Sequence, residues 1–179
     1  MNNYPTSWND VSVEQFIELS TFSISDFESD TDYYLAVYEF LTNATEEEIN
    51  NLDFEEYLDF VKAVRFLSET PKNWEHCTGD DEFTFIGFNN LTLGNFIDLE
   101  VFFSQNYLEK LPYILMVLYR KTKIGEWDEQ IFEPISKIDI ESRVEEMKEV
   151  SIGETFGIIS EYLTFRNKFL EKRRALFGM

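Results

Sequence analysis

Apolar residues recur at helical spacing along most of this 179-residue chain, and residues that cap helices stand just before the periodic stretches. Ser12 and Gln15 form a Ser-x-x-Gln capping box, in which each side chain satisfies a free backbone N–H, and this predicts a short helix over 13–19. A polar loop runs from Ser23 to Asp30. Asp30 or Thr31 then caps a second helix through Leu41, with Tyr34, Leu35, Tyr38 and Leu41 on one face and Asn43 as its stop. Thr45 and Glu48 make another box. Asp53 and Glu56 open a longer helix to about Ser68, whose Phe54, Tyr57, Leu58, Val61 and Val64 keep the helical period. Its acids come first and Lys62 and Arg65 come late, so the charges oppose the helix dipole at both ends.

After Thr70-Pro71 the pattern changes. Residues 83–88 alternate in polarity with β-prone side chains, and Asn89-Asn90 predicts a turn back onto 91–93 as a small hairpin. Thr92 opens a helix that ends near Ser104. Pro112 sits at a first helical position, where its missing N–H does no harm, and 113–119 is apolar almost all round, as a central core helix requires. Residues 121–138 read as an irregular or hairpin insertion. Asp139 caps a charged helix to Lys148, and Ser151 with Glu154 boxes the start of the final helix, with Ile152, Phe156, Ile159 and Leu163 as its buried stripe.

One run occurs twice. Phe16, Ile17, Leu19 and Phe22 return 80 positions later as Phe96, Ile97, Leu99 and Phe102, and Tyr33, Leu35 and Val37 return as Tyr113, Leu115 and Val117. The expected fold is therefore mainly α with a minor β-hairpin element, arranged as two pseudo-repeated helical lobes. An acidic lobe covers 1–70, a connector with the small β element covers 71–91, and a second lobe covers 92–179, with its insertion at 121–138 and a basic C-terminal helix.

Composition adds electrical polarity to this picture. A hydrophobic fraction of 44% with 18 Phe and 9 Tyr supports a packed core in spite of a net charge of −20. No Lys or Arg precedes Lys62, whereas Arg166, Lys168, Lys172, Arg173 and Arg174 cluster near the end. A chain this acidic lacks the broad cationic face that nucleic acid or anionic lipid needs, so direct nucleic-acid binding and membrane association are disfavoured. The N-terminus has no basic and apolar leader pattern, and the longest apolar run is too short to span a bilayer. The single cysteine, Cys77, leaves no internal disulfide.

Candidate chemistry is sparse. Asp26, Glu28, Asp30 and Asp32 alternate as calcium ligands do, but Tyr33 stands where a calcium loop needs glycine, so a solvated acidic loop is the reading. Gly79-Asp80-Asp81-Glu82 reads as a turn. His76 beside Cys77 lacks a third orienting group and a second histidine, which assigns both a structural part. The glycines are scattered and form no phosphate-cradling loop. No metal, cofactor or catalytic constellation emerges, and the chain does not read as an enzyme. The cationic end either compensates the helix dipole or docks on an acidic partner, such as the acidic first third of a neighbouring copy.

The run Leu91-Thr-Leu-Gly-Asn-Phe-Ile-Asp-Leu-Glu100, the segment Leu111-Pro-Tyr-Ile-Leu-Met-Val-Leu-Tyr-Arg120 and the late Gly153-Glu-Thr-Phe-Gly157 resemble small proteins encoded among the structural genes of tailed bacteriophages, notably crAss-like phages of Bacteroidales. Trp8-Asn-Asp-Val-Ser-Val-Glu-Gln-Phe16 is similar to their opening. The resemblance implies a non-enzymatic role in building the virion; together with the opposite charges of the two ends, which suit head-to-tail contact between copies, it leads to the expectation of a homo-oligomeric tail or neck protein in contact with other phage structural proteins, located in the virion and, during assembly, in the host cytoplasm. Two further expectations use the same acidic surface: an assembly chaperone absent from the mature virion, or a DNA-mimic inhibitor of a host enzyme.

Overall fold

The computed structural model describes residues 4–72, 77–78, 83–124 and 130–177. It is mainly helical with a small antiparallel sheet. Helix α1 (Val13–Leu19) starts at the expected box: the Ser12 side chain accepts from the Gln15 amide at 3.2 Å, and Gln15 Oε1 accepts from the Ser12 amide at 3.0 Å. Helix α2 (Asp30–Thr42) is capped one residue earlier than expected, by Ser29, and ends on Asn43 in the left-handed region at φ 53°. The Thr45–Glu48 box opens α3 (Glu46–Asn50), and Asp53 caps α4 (Phe54–Ala63), which tightens into a 3-10 turn over Val64–Ser68.

Strands β1 (Cys77–Thr78) and β2 (Phe83–Phe85) precede α5 (Leu93–Phe103), which carries the Thr92–Asn95 box. Helix α6 (Leu111–Leu118) runs straight into β3 (Tyr119–Ile124), β4 (Gln130–Phe132) follows, and α7 (Ile140–Glu149), α8 (Ile152–Thr155) and α9 (Gly157–Phe177) complete the chain. The sheet order is β1-β2-β3-β4, antiparallel throughout. His76, the 79–82 turn and Trp127 lie outside the described residues.

The expected hairpin between 83–88 and 91–93 does not form. Gly87, at φ +76°, turns the chain into a 3-10 turn, and Asn90 Nδ2 donates to the Ile86 carbonyl at 2.6 Å, so the backbone curls toward α5. Strand β2 pairs instead with β3, Phe83 opposite Lys121 and Phe85 opposite Tyr119. The 121–138 segment does supply a hairpin, β3 with β4.

The Ser151–Glu154 box is also absent. Ser151 makes an antiparallel bridge with Ser12, flanked by Val13 N donating to Val150 O at 3.0 Å and Ile152 N donating to Val11 O at 2.9 Å. Its hydroxyl is buried without a partner. The assigned helix is interrupted at Phe156, whose backbone stays in the helical region, and the buried stripe runs through Ile152, Ile158, Ile159 and Tyr162, which leaves Leu163, expected inside, partly in solvent.

Helix α6 is the centre of the larger core, burying Leu111, Ile114, Leu115, Val117 and Leu118. Each such side chain contributes about 1.5–3 kcal/mol when fully buried. The chain's opening belongs to this core as well, because Val11 and Val13 are buried in it and Trp8 packs edge-on against Phe16 and Phe66. A second, smaller core lies between α2 and α4 and is built on Val37, Leu41, Phe60 and Val64. Within the acidic first 70 residues, this small core is separate while α1 docks on α7; α5, which repeats the motif of α1, packs chiefly on α6.

Candidate interaction surface

Helices α5 and α9 run antiparallel, and the side chains between them set what each leaves exposed. Phe96 meets Tyr162 and Phe169, while Phe103 stacks on Tyr162 with centroids 5.1 Å apart. Glu100 accepts from both Nε and Nη2 of Arg166 and from the Tyr162 hydroxyl at 3.3 Å. This hydrogen bond raises the Arg166 pKa, and burial, followed by the Glu100 carboxylate, pushes the Tyr162 phenol up. Arg166 is thereby neutralised within the fold.

Turning α5 about its axis from that seam brings up Leu93, Ile97 and Val101, spaced four residues apart on one face. They are 74%, 52% and 47% exposed, in contrast to Leu99, which is fully buried on the opposite side. Isolated exposed leucines are ordinary on protein surfaces, but a row of three on one helix is a continuous apolar strip. Its spacing is visible in the sequence; only the docking of α9 and α6 on the other sides of the helix decides that it faces outward.

The remaining cationic candidates are Lys168 and Lys172, both exposed on α9, and Arg173 and Arg174, for which the backbone alone is described. Asp26, Glu28, Asp30 and Asp32 are all exposed around the start of α2. Asp32 accepts from the Ser29 hydroxyl at 2.7 Å, whereas Asp26, Glu28 and Asp30 have no ion-pair partner among the described residues. Among the described residues, no ion pair joins the acidic four around the start of α2 to the cations of α9.

A second charged centre lies where α7 meets the insertion. Arg143 of α7 is buried, donates from Nη2 to Glu133 and from Nε to Glu146, each at 2.7 Å, and lies over the Phe83 ring at 5.0 Å. Arg120 is buried next to it and donates from Nη1 to the Met116 carbonyl at 2.9 Å. Burial, then the Arg143 charge, lowers the Arg120 pKa to about 10. Lys121 pairs with Glu146 at 3.2 Å and lines a groove of about 270 Å³ with Lys123, Ile131, Phe132 and Lys137.

Among the described residues, no group of three or more His, Cys, Asp or Glu side chains converges to hold a metal ion. Likewise, no helix among them is long and apolar enough to cross a membrane. What these surfaces offer is apolar contact and charge of both signs. Comparison with known protein families, with curated proteins and with solved structures finds no match to this chain.

Proposed function

We propose that this chain is a non-enzymatic structural protein that acts through protein–protein contacts in a multi-subunit assembly, and that the assembly is the tail or neck region of a tailed-phage particle. The observation that carries the first part is the strip of Leu93, Ile97 and Val101 on α5, standing in solvent beside a seam already closed by Glu100 and Arg166. An apolar row flanked by charge is the anatomy of a contact surface, with an apolar centre and a polar rim. The second part follows from the resemblance of 91–100, 111–120 and 153–157 to phage structural proteins. The partners are then neighbouring copies and other virion proteins.

Quantitative mass spectrometry of purified particles tests this reading. A fixed number of copies per particle is the expected result. Recovery of the chain with a tail component from infected cells, but not from particles, replaces the structural role with that of an assembly chaperone. Absence from both preparations refutes the assignment.

A further inference from the structure

We infer that the groove on the β3–β4 hairpin is the receptor for the acidic segment 24–30 of a second copy of this chain. This deepens the proposed structural role by naming a contact between copies, and it rests on that reading.

The groove is unusual for a chain of net charge −20. Lys121 and Lys123 are two residues apart on β3 and project to one face of the sheet, where Ile131 is the register partner of Lys123. Glu133 lies opposite Lys121, its backbone N–H donating a hydrogen bond to the Lys121 carbonyl at 3.0 Å. Lys137 closes the groove from the 3-10 turn Ile135–Lys137. Among the described residues, the acids beside the groove are already paired, Glu133 with Arg143, and Glu146 with Arg143 and with the groove's own Lys121. Lys123 and Lys137 are exposed and form no ion pair with another described residue. The apolar part of the lining is a 51%-exposed Ile131 together with Pro134. The groove thus asks for a ligand that is acidic and apolar at once.

Residues 24–30 have that character and are held out in one shape. Phe27 anchors the segment, 6.4 Å from the Phe22 ring and 5.6 Å from Tyr33. The anchored 3-10 turn Ile24–Asp26 leaves Ile24 52% exposed, and the carboxylates of Asp26, Glu28 and Asp30 point their charge at solvent without partners among the described residues. One aliphatic and three acids on the segment match the apolar lining and the lysines of the groove. None of residues 24–30 lines the groove of its own chain, so the match is made between copies.

Because groove and segment are different patches, the contact is heterologous, and successive copies add head to tail until the rotation closes a ring or runs on as a filament. Exposed ion pairs contribute little individually. A single contact is therefore weak, and closure around a ring, where each added contact is effectively intramolecular, supplies the strength.

Two neutralised variants test this: Lys123→Met with Lys137→Met, and Asp26→Asn with Glu28→Gln and Asp30→Asn. All five residues are exposed, and unchanged circular dichroism melting confirms that both variants fold. Native mass spectrometry of the purified full chain is expected to show oligomers for wild type and at least a tenfold loss of association for each variant alone. An equimolar mixture of the variants retains one intact groove and one intact segment, so at concentrations high enough to populate a single weak contact it is expected to give a one-to-one heterodimer and nothing larger. Variants that assemble like wild type overturn the inference, as does a mixture that stays monomeric. A wild-type chain that is monomeric at all concentrations also overturns it, yet leaves a virion role through other proteins standing, since that role is read from particle composition.

Discussion

Glu100 and Arg166, 66 positions apart in the chain, form a two-pronged ion pair between α5 and α9, with Nη2 donating to Oε2 at 2.6 Å. The paired geometry and partial burial make this pair stronger than an ordinary surface bridge. Replacing either partner, as Glu100→Gln or Arg166→Met, is expected to lower unfolding free energy by about 1–2 kcal/mol. The double variant should lose less than the sum, leaving a coupling of about 1 kcal/mol in a double-mutant cycle read from urea unfolding. Strict additivity would show that the two side chains do not act together.

The two buried arginines should respond in opposite ways. Arg143 pairs with Glu133 and Glu146, so Arg143→Met removes the partner of Glu133, leaves Glu146 with Lys121 and is expected to cost about 2 kcal/mol. Arg120 is a buried charge held beside another cation, with its pKa depressed to about 10, and a depressed folded-state pKa means that the charged form opposes folding at neutral pH. Arg120→Met is therefore expected to leave thermal stability unchanged or to raise it. A loss as large as that of Arg143→Met would contradict this.

Asp10 fixes the opening of the chain. Its Oδ2 accepts from the backbone amides of Thr6 and Ser7, each at 3.0 Å, and from both hydroxyls, at 3.1 Å. These bonds, the Thr6 amide foremost, hold its pKa below the usual carboxylate range. The stabilisation is complete above the unfolded-state value of about 4 and fades as pH falls through the lower folded-state value. Wild type is thus expected to be more stable than Asp10→Asn at pH 7, with the gap closing below about pH 4 in acid unfolding curves.

Two glycines separate close approach from mere absence of a side chain. A Cβ on Gly153 would lie 2.6 Å from the Asn9 amide nitrogen and 2.7 Å from the Trp8 carbonyl carbon, both backbone atoms that cannot move without shifting the opening segment off α8. Gly153→Ala is expected to cost about 2–3 kcal/mol. At Gly94 the nearest atom is Thr92 Oγ1 at 3.7 Å, so Gly94→Ala is expected to gain about 0.5 kcal/mol through helix propensity. Differential scanning fluorimetry resolves the two signs.

Much of the helical architecture was legible because it is written locally. Ser12 with Gln15 and Thr45 with Glu48 close their boxes within three residues, Thr92 opens α5 where its residue type places a cap, and the apolar 111–118 run is buried as its composition demands. What failed depended on distant partners. Phe83 and Phe85 read as strand, but nothing in their alternation says that the ladder partner begins at Tyr119 rather than at Leu91. Ser151 carries the residue type of a cap, and the bridge to Ser12 claims its backbone first. Arg166 looked available as one of a run of cations, since Glu100 is invisible to any count made along α9. The insertion reads as irregular or hairpin without a register, and only the register of β3 with β4 places Lys121, Lys123 and Ile131 on one face.

The most direct test of a protein that works by contact is hydroxyl-radical footprinting of Leu93, Ile97 and Val101, in the free chain and in purified particles. The free chain should label strongly at all three, as their exposure requires. In particles, labelling of the strip is expected to fall at least fivefold, while exposed Phe54 on α4 serves as an internal reference. Equal labelling of the strip in both states would mean that nothing covers α5, and the contact role would be contradicted.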